Sequence, residues 1–303
     1  MFHAWLCAQG HENFMKLERL YHMPDVIEKI GKSIIQHGPY NRRIYLMKLH
    51  KQDSHRIMPE MESLAHANNY EKILAKIPSG HEAYYKDHGY IREAVIPEYF
   101  NNGEHAVFMA KYFSSSRKQV NNQEQIREVL SLALRRKHAR GTGNCESSFS
   151  TQICRLGDIN EMIRVFRAVF ETYPFPIFDA DFLSEAMQKR EARYYCARKG
   201  TRIVAIAASE IDWANQSVEM TDFATLPEFR GQGLAGCLLK DMERSMAKEG
   251  MRTAFSIARA ISPAMSLVFA ANGYSFGGTL DNNTNIAGHI QSMNIWHKRL
   301  QPV

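Results

Sequence analysis

Apolar and polar positions along this chain switch between a period of two and a period near 3.6, and the switches divide it into blocks. In the first, residues 23–113, apolar-rich runs at 33–37 and 43–49 flank Gly38-Pro39-Tyr40-Asn41, the pattern of a β-hairpin. Ile57, Met61, Leu64 and Ala65 fall on one stripe and predict a helix over 54–68. A strand over 72–77 follows, then a short helix over 82–88 that stops at Gly89, then strands over 90–96 and 106–112. Residues 114–150 read as a connector: Ser114-Ser115-Ser116 opens it, a helix over 123–138 crosses it, and Gly141-Thr142-Gly143-Asn144 closes it.

The second block, 151–303, opens with a strand over 151–156. Asp158 then caps a helix with Met162, Val165, Phe166 and Val169 in phase. Pro174 and Pro176 break it, and a second helix starts at Asp181. Strands over 193–198, 203–211 and 218–225 come in hairpin order, with Lys199-Gly200 and Trp213-Ala214-Asn215-Gln216 as the turns. A helix over 234–248, a strand over 253–257, a helix over 263–271 and strands over 274–279 and 291–297 complete the order β-α-α-β-β-β-α-β-α-β-β. The expected class is α/β (α+β), with a central mixed, mostly antiparallel sheet. The first block echoes the second: Met61-Glu62-Ser63-Leu64-Ala65, the strand at Lys72 and Gly89-Tyr90 parallel Met242-Glu243-Arg244-Ser245-Met246, the strand at Thr253 and Gly273-Tyr274.

Composition narrows the class. Of 303 residues, 45% are hydrophobic and 23% charged, as in a soluble globular protein, and no run of 18 apolar residues could span a membrane. Residues 1–22 lack a basic start and a long apolar core, so they read as a tail rather than a secretion signal. The five cysteines are an odd number, scattered and without a CxxC, which points to a reducing cytoplasm and away from zinc; the thirteen histidines show no metal-ligand spacing either. The net charge of +6 suits a polyanionic ligand, but its basic residues are dispersed. The one cluster, Arg135-Arg136-Lys137-His138-Ala139-Arg140, ends a helix, where cations complement the dipole. Neither a nucleic-acid platform nor a membrane anchor is expected.

The candidate chemistry gathers where the strand ending at Thr225 breaks at Pro227 and turns into a helix. The turn carries Arg230-Gly231-Gln232-Gly233-Leu234-Ala235. Two glycines let the backbone curl so that its N–H groups converge, and the following helix adds unpaired N–H groups and the positive end of its dipole. Together they make a seat for a pyrophosphate. Gly231, Gly233 and Gly236 fit a dinucleotide fingerprint literally, yet the next strand ends in Ala258-Arg259 rather than in an acid. A Walker loop is absent.

This segment resembles the acetyl-CoA motif of the GNAT acetyltransferases, Arg/Gln-x-x-Gly-x-Gly/Ala, with Arg230, Gly233 and Ala235 in the fixed places. The element order agrees with that fold. The resemblance implies acetyl-CoA as co-substrate and no metal. It also implies a fourth strand that splays past its middle, so that Phe223, Ala224, Thr225 and Leu226 offer free backbone groups to the pantetheine arm. Glu219 stands where many relatives carry a glutamate base, with Asp222 the other candidate. The usual tyrosine acid is replaced by Phe269 and a family asparagine by Ser262, which leaves Tyr274 as the nearest alternative phenol. A primary alkylamine has a pKa of about 10.4, so a base must take its proton near neutral pH. In this setting the first block is expected to be a degenerate half of the same fold. His50-Lys51-Gln52-Asp53-Ser54 occupies its glycine-loop place, so it should not bind CoA but cover a sheet edge or shape the acceptor pocket.

The similarity narrows further. EMTDFATLPEFRGQGLAGCLL, ARAISPAMSLVFAANGYSFGGTLDNNTNIAGHIQSMNIWHK, IEKIGKSIIQHGPYNRRIYLMKL and EHAVFMAKYF resemble the β-lysine acetyltransferases, from about Met23 to Leu300. That family acetylates the side-chain amine of β-lysine to give N-epsilon-acetyl-β-lysine, a compatible solute. The implied substrate needs a carboxylate clamp, for which Asn282, Asn283, Thr284 and Asn285, placed between the last two strands, are candidates; Glu210 and Asp212 are candidates to hold an ammonium. Other acceptors (a polyamine, an aminoglycoside, a protein lysine) and a non-catalytic acyl-CoA sensor or RNA-binding module are the competing readings. The intact loop with Glu219 opposes the last two. A monomer or homodimer is expected.

Overall fold

The computed structural model describes residues 25–136 and 148–301. The expected tail, the Gly141–Asn144 closure and most of the basic cluster after Arg136 lie outside these residues. The elements of the first half are β1 (Val26–Ile30), β2 (Ser33–Gly38), β3 (Arg43–Lys48), α1 (Ile57–Ala67), β4 (Lys72–Pro78), α2 (Glu82–Asp87), β5 (Ile91–Ile96) and β6 (Ala106–Tyr112). Two connector helices follow, α3 (Ser115–Lys118) and α4 (Gln123–Arg136). The second half holds β7 (Ser150–Ile153), α5 (Ile159–Val169), α6 (Ala180–Gln188), β8 (Ala192–Lys199), β9 (Arg202–Asp212) and β10 (Ser217–Thr225). It continues through α7 (Leu234–Lys248), β11 (Thr253–Arg259), α8 (Pro263–Ala271), β12 (Ser275–Ile286) and β13 (His289–Arg299).

All described strands join one sheet in the order β1-β2-β3-β4-β6-β5-β12-β13-β11-β10-β9-β8-β7. Each half contains one parallel pair, β3 with β4 and β10 with β11, and the other pairs are antiparallel. In each half a helix bridges the parallel pair: α1 packs on β3 and β4, and α7 packs on β8, β9 and β10. The order therefore runs outward from the β5–β12 seam in the same sense on both sides.

The seam is a close backbone approach. A Cβ on Gly278, whose φ is +135°, would sit 2.6 Å from the Ala94 Cα and overlap the Glu93 carbonyl oxygen. Only glycine lets β12 reach β5 there. Lys72 and Glu93, both buried, pair at 2.8 Å beside it, and Lys72 also donates to the Asp281 carbonyl at 2.6 Å.

The pattern of burial follows the sheet. In β9, Ile203 to Ser209 is buried throughout, as a strand covered on both faces requires. The helix α7 buries Leu234, Leu238, Leu239, Met242 and Met246 on one stripe. A separate cluster joins Tyr45, Leu74, Ala94 and Phe108 of the first half to Phe255, Leu280, Met293 and Ile295 of the second. The two halves thus share one apolar wall.

Two expectations change. Residues 282–285 are not a turn: β12 runs on to Ile286, and the reversal is made by Ala287 and Gly288, both at positive φ. A bulge between Leu280 and Thr284 breaks the hydrophobic alternation, which is why the strand was hidden in the sequence. The helix expected to start at Asp181 begins instead at Ala180, because Asp179 supplies the cap, accepting from the Asp181 and Phe182 N–H groups. No helix among the described residues is long and apolar enough to cross a membrane.

Candidate active site

The site starts where β10 leaves β11. Their parallel register covers only Ser217, Val218 and Glu219 against Thr253, Ala254 and Phe255, while β11 continues alongside β13 to Arg259. The register of β10 with β9 then shifts between Thr221 and Ala224, and Asp222 adopts a φ of 55°. This bulge turns β10 away from β11 and leaves that edge of Phe223, Ala224, Thr225 and Leu226 without a ladder partner. The other edge stays fixed: Leu226 donates to Val204 at 3.0 Å.

At the end of the splay, Pro227–Phe229 forms a single helical turn and Arg230 is extended. Gly231 and Gly233 have φ of 80° and 75°, and a Cβ at either would meet no atom within 4 Å, so both face open space. The first bond of the following turn runs from Cys237 N to Gly233 O at 3.1 Å. The N–H groups of Leu234, Ala235 and Gly236 precede it and point out of the helix end. Arg230 donates to the Thr225 carbonyl at 3.3 Å and Gln232 to the Glu228 carbonyl at 3.5 Å, which ties the loop to the splayed strand. Open space, converging donors and a helix dipole fit the pyrophosphate and arm of acetyl-CoA.

Beside the splay lies a cluster of acids. Glu219 and Glu210 are directly opposed on neighbouring strands. Burial pushes the Glu219 carboxyl up to about 7; the Lys76 ammonium opposes that rise, Asp222 adds to it, and a hydrogen bond from the Ile257 N–H restrains it. Asp222, 4% exposed, is pushed up to about 6 by burial, although Tyr173 and Thr221 donate to it. The Tyr173 phenol reaches Asp222 at 2.5 Å. Glu210 is raised well above the usual range by the protein around it and by the charges of Glu219 and Asp222. Its outer side is open to solvent, so water moderates the first effect and repulsion carries the rise. The charges of Glu219 and Asp222 act on Glu210, and that of Asp222 on Glu219, and together the three carboxyls attract an ammonium.

The first half supplies the facing wall. Lys76 donates to the Tyr99 hydroxyl at 3.0 Å and lies 5.7 Å from the centre of the Phe255 ring. Burial works against its charge, but Tyr99, Tyr45 and Glu219 outweigh that and hold it above the ordinary lysine value. Sequence reading missed Lys76, Tyr45, Tyr99, Tyr173 and Arg43. A signal was present: Arg43 and Tyr45, and Lys72 and Lys76, sit at even spacings within apolar strands, which places each set on one face.

The remaining predicted residues scatter. Tyr274 is fully buried, packed against Phe269 with ring centroids 5.1 Å apart, and has Glu243 and Lys298 as its polar neighbours. It stands behind Phe269, whose ring meets Phe223, so it does not reach the splay as an acid would need to. Asp212 is engaged at the β9–β10 turn by Asn215 at 2.7 Å and Tyr99 at 3.4 Å, and the ammonium it already meets is that of Lys48, at 3.9 Å. Asn282 donates to the Arg117 and Gln119 carbonyls of the connector, and Asn285 to that of Tyr40 in the first half; both hold β12 to the preceding part of the chain. Thr284 accepts from Arg43 at 3.5 Å, and the Asn283 amide donates to the same Thr284 hydroxyl at 3.2 Å. Among the described residues no group of His, Cys, Asp or Glu could hold a metal ion.

Fold and site together define an acetyl-CoA-dependent N-acetyltransferase. Residues 159–265 match the family model described as Acetyltransferase (GNAT) family. Over 276 residues the chain is 35% identical to the Beta-lysine N(6)-acetyltransferase of Methanococcus maripaludis, covering 91% of this chain and 99% of that one. It is 30% identical over 268 residues to the N-acetyltransferase YodP of Bacillus subtilis (88% and 96% covered) and 25% identical over 262 residues to the Beta-lysine N(6)-acetyltransferase of Methanosarcina mazei (79% and 95% covered). The chain belongs to the β-lysine N-acetyltransferase family of GNAT enzymes.

Proposed function

We propose that this enzyme acetylates the side-chain amine of β-lysine, giving N-epsilon-acetyl-β-lysine for use as a compatible solute, and that it works in the cytoplasm as a monomer or homodimer. The observation that carries the reading is the acid cluster of Glu219, Glu210 and Asp222 at the mouth of the splay. Acetyl-CoA supplies the acetyl group as a thioester. The substrate amine arrives as an ammonium and is drawn to the carboxyls. Glu219, whose carboxyl is pushed up to about 7, takes one proton and frees the lone pair; the C–N bond forms at the carbonyl as the C–S bond breaks, coenzyme A leaves as its thiolate, and the nitrogen's remaining surplus proton passes to that thiolate. The splayed backbone from Phe223 to Leu226 orients the thioester, and Phe223 against Phe269 keeps water from it.

The first half is read as a degenerate copy that has lost the CoA site. Where the glycine loop would stand, Asp53 accepts from the Lys32 N–H at 2.7 Å and from the Ser33 N–H at 2.8 Å, so a carboxylate already fills an anion seat. The parallel pairs begin at Arg43 with Lys72 and at Ser217 with Thr253. Two residues further on, Tyr45 therefore occupies the place that Glu219 holds in the other half. The copy keeps its sheet and lends its inner face to the acceptor pocket.

The test is an assay of purified protein with acetyl-CoA against L-β-lysine, L-lysine and spermidine, with products identified by mass spectrometry. β-Lysine is expected to be preferred over lysine by about tenfold to a hundredfold in kcat/KM, because a misplaced second amine leaves buried partners unpaired. Equal rates for the two amino acids, or acetylation of spermidine alone, would overturn the substrate while leaving the enzyme class standing.

A further inference from the structure

Arg43 is 4% exposed and makes no ion pair among the described residues. Its Nε has no hydrogen-bond partner, and its two terminal nitrogens make only long contacts, 3.5 Å to the Thr284 hydroxyl and 3.5 Å to the Gln36 amide oxygen. Nearby acids are committed elsewhere. Asp25 accepts from Asn41 at 2.6 Å and from the Tyr40 N–H at 3.1 Å, and Glu93 is paired with Lys72. A buried guanidinium without a carboxylate is costly, and its fork is built to take one bidentately. Burial is the main cause that lowers its pKa to about 10, with Asp25 opposing and Arg117 adding to the fall, so it is still cationic at neutral pH.

The position matches a zwitterion. Arg43 and Tyr45 lie on one face of β3, roughly 7 Å apart along the strand. Tyr45 is the residue on which Glu219 and Lys76 act electrostatically. The inner face thus carries the acids with Lys76 beside them, and a second cation, Arg43, whose guanidinium lies 5.3 Å from the centre of the Tyr45 ring. A diamino acid whose reacting amine lies at the acids has its carboxylate at the other end of its chain, toward Arg43. Arg43 and the Asn283 amide share the Thr284 hydroxyl, and the Asn283 side-chain oxygen is buried and unpartnered, an acceptor suited to the substrate's second ammonium.

The geometry points to Arg43, contributed by the half that lacks a CoA site, as the residue that binds the acceptor's carboxylate and so selects an amino acid over a plain diamine. This rests on the β-lysine reading above. The test compares kcat/KM for β-lysine and for its carboxamide, which keeps both amines and removes only the negative charge. Wild-type enzyme is expected to favour the acid by about a hundredfold, since truncating one side of a buried charge pair costs on that order. In Arg43→Met the preference should collapse to within a few-fold while calorimetric affinity for acetyl-CoA is unchanged. Should that variant fail to fold, Arg43→Gln, which keeps a donor toward Thr284 but no charge, is read in the same way. A preference that survives loss of the charge, or a wild-type enzyme indifferent to the carboxylate, overturns the assignment. A wild-type enzyme that acetylates neither compound overturns the β-lysine reading instead.

Discussion

Glu219 and Glu210 face each other across neighbouring strands, and that opposition sets the chemistry at the scale of single residues. Glu219→Gln removes the carboxyl proposed above as the base. The expected fall in kcat is about 10²–10³-fold at pH 7, shrinking toward pH 10 as the free amine deprotonates in solution; a pH–rate profile checks it. The same change should stabilise the fold. The Glu219 carboxyl is raised from 4.5 to about 7, so between those values the unfolded chain ionises while the folded one stays protonated, and wild-type stability falls as pH rises through that window. Glutamine does not titrate. Its advantage should therefore be small at pH 5 and on the order of 1–2 kcal/mol at pH 8, less than the full shift because Glu210 shares the proton and water reaches the cleft. Melting curves at the two pH values measure it, and equal gains at both would show that the carboxyl is not raised.

At the scale of elements, the loop before α7 and the β5–β12 seam are the two places where backbone alone decides function. Gly233→Asp places a side chain and a negative charge in the open space where the pyrophosphate is expected, at a φ of 75° that disfavours any side chain. Calorimetry should show loss of acetyl-CoA binding with the circular-dichroism spectrum unchanged. Gly278→Ala acts at a distance from it. Its Cβ would lie 2.6 Å from the Ala94 Cα, which cannot move aside without parting β12 from β5. We expect a cost of about 2–4 kcal/mol, a Tm lower by roughly 5–15 °C and a raised KM for the acceptor, with acetyl-CoA affinity retained. Unaltered Tm would mean that the halves are not held together there.

At the scale of the whole molecule, one half tunes the acid of the other. Lys76 on β4 lowers the pKa of Glu219 on β10 across the shared wall. Lys76→Met removes that cation, so Glu219 should hold its proton to higher pH, and the acidic limb of kcat/KM should move up by about one pH unit. A limb that stays in place would sever the electrostatic link between halves. Among the described residues β1 and β7 are the outermost strands of the sheet, with Val26 56% and Ile153 49% exposed.

The sequence by itself determined what depends on local periodicity and on special backbone torsions. Alternating and helical stripes set nearly every element, and Gly231 and Gly233, at the positive φ of the loop, marked the proposed CoA seat next to Glu219. Tertiary structure decided what depends on strands far apart in the chain lying side by side. Glu210 became a partner of Glu219 only through register. Asp222 became a buried acid through the bulge, and Tyr173 reached it from a loop 49 residues earlier. Asn282 and Asn285 looked like pocket residues because polar side chains at that spacing suggest a turn, yet on β12 they are spent on the connector and on the first half. Arg43 and Lys76 carried the signal of polar residues on one strand face, but a strand's period says only that two side chains share a face. Which other face they meet is set by how the sheet curls, and that is a property of all thirteen strands together.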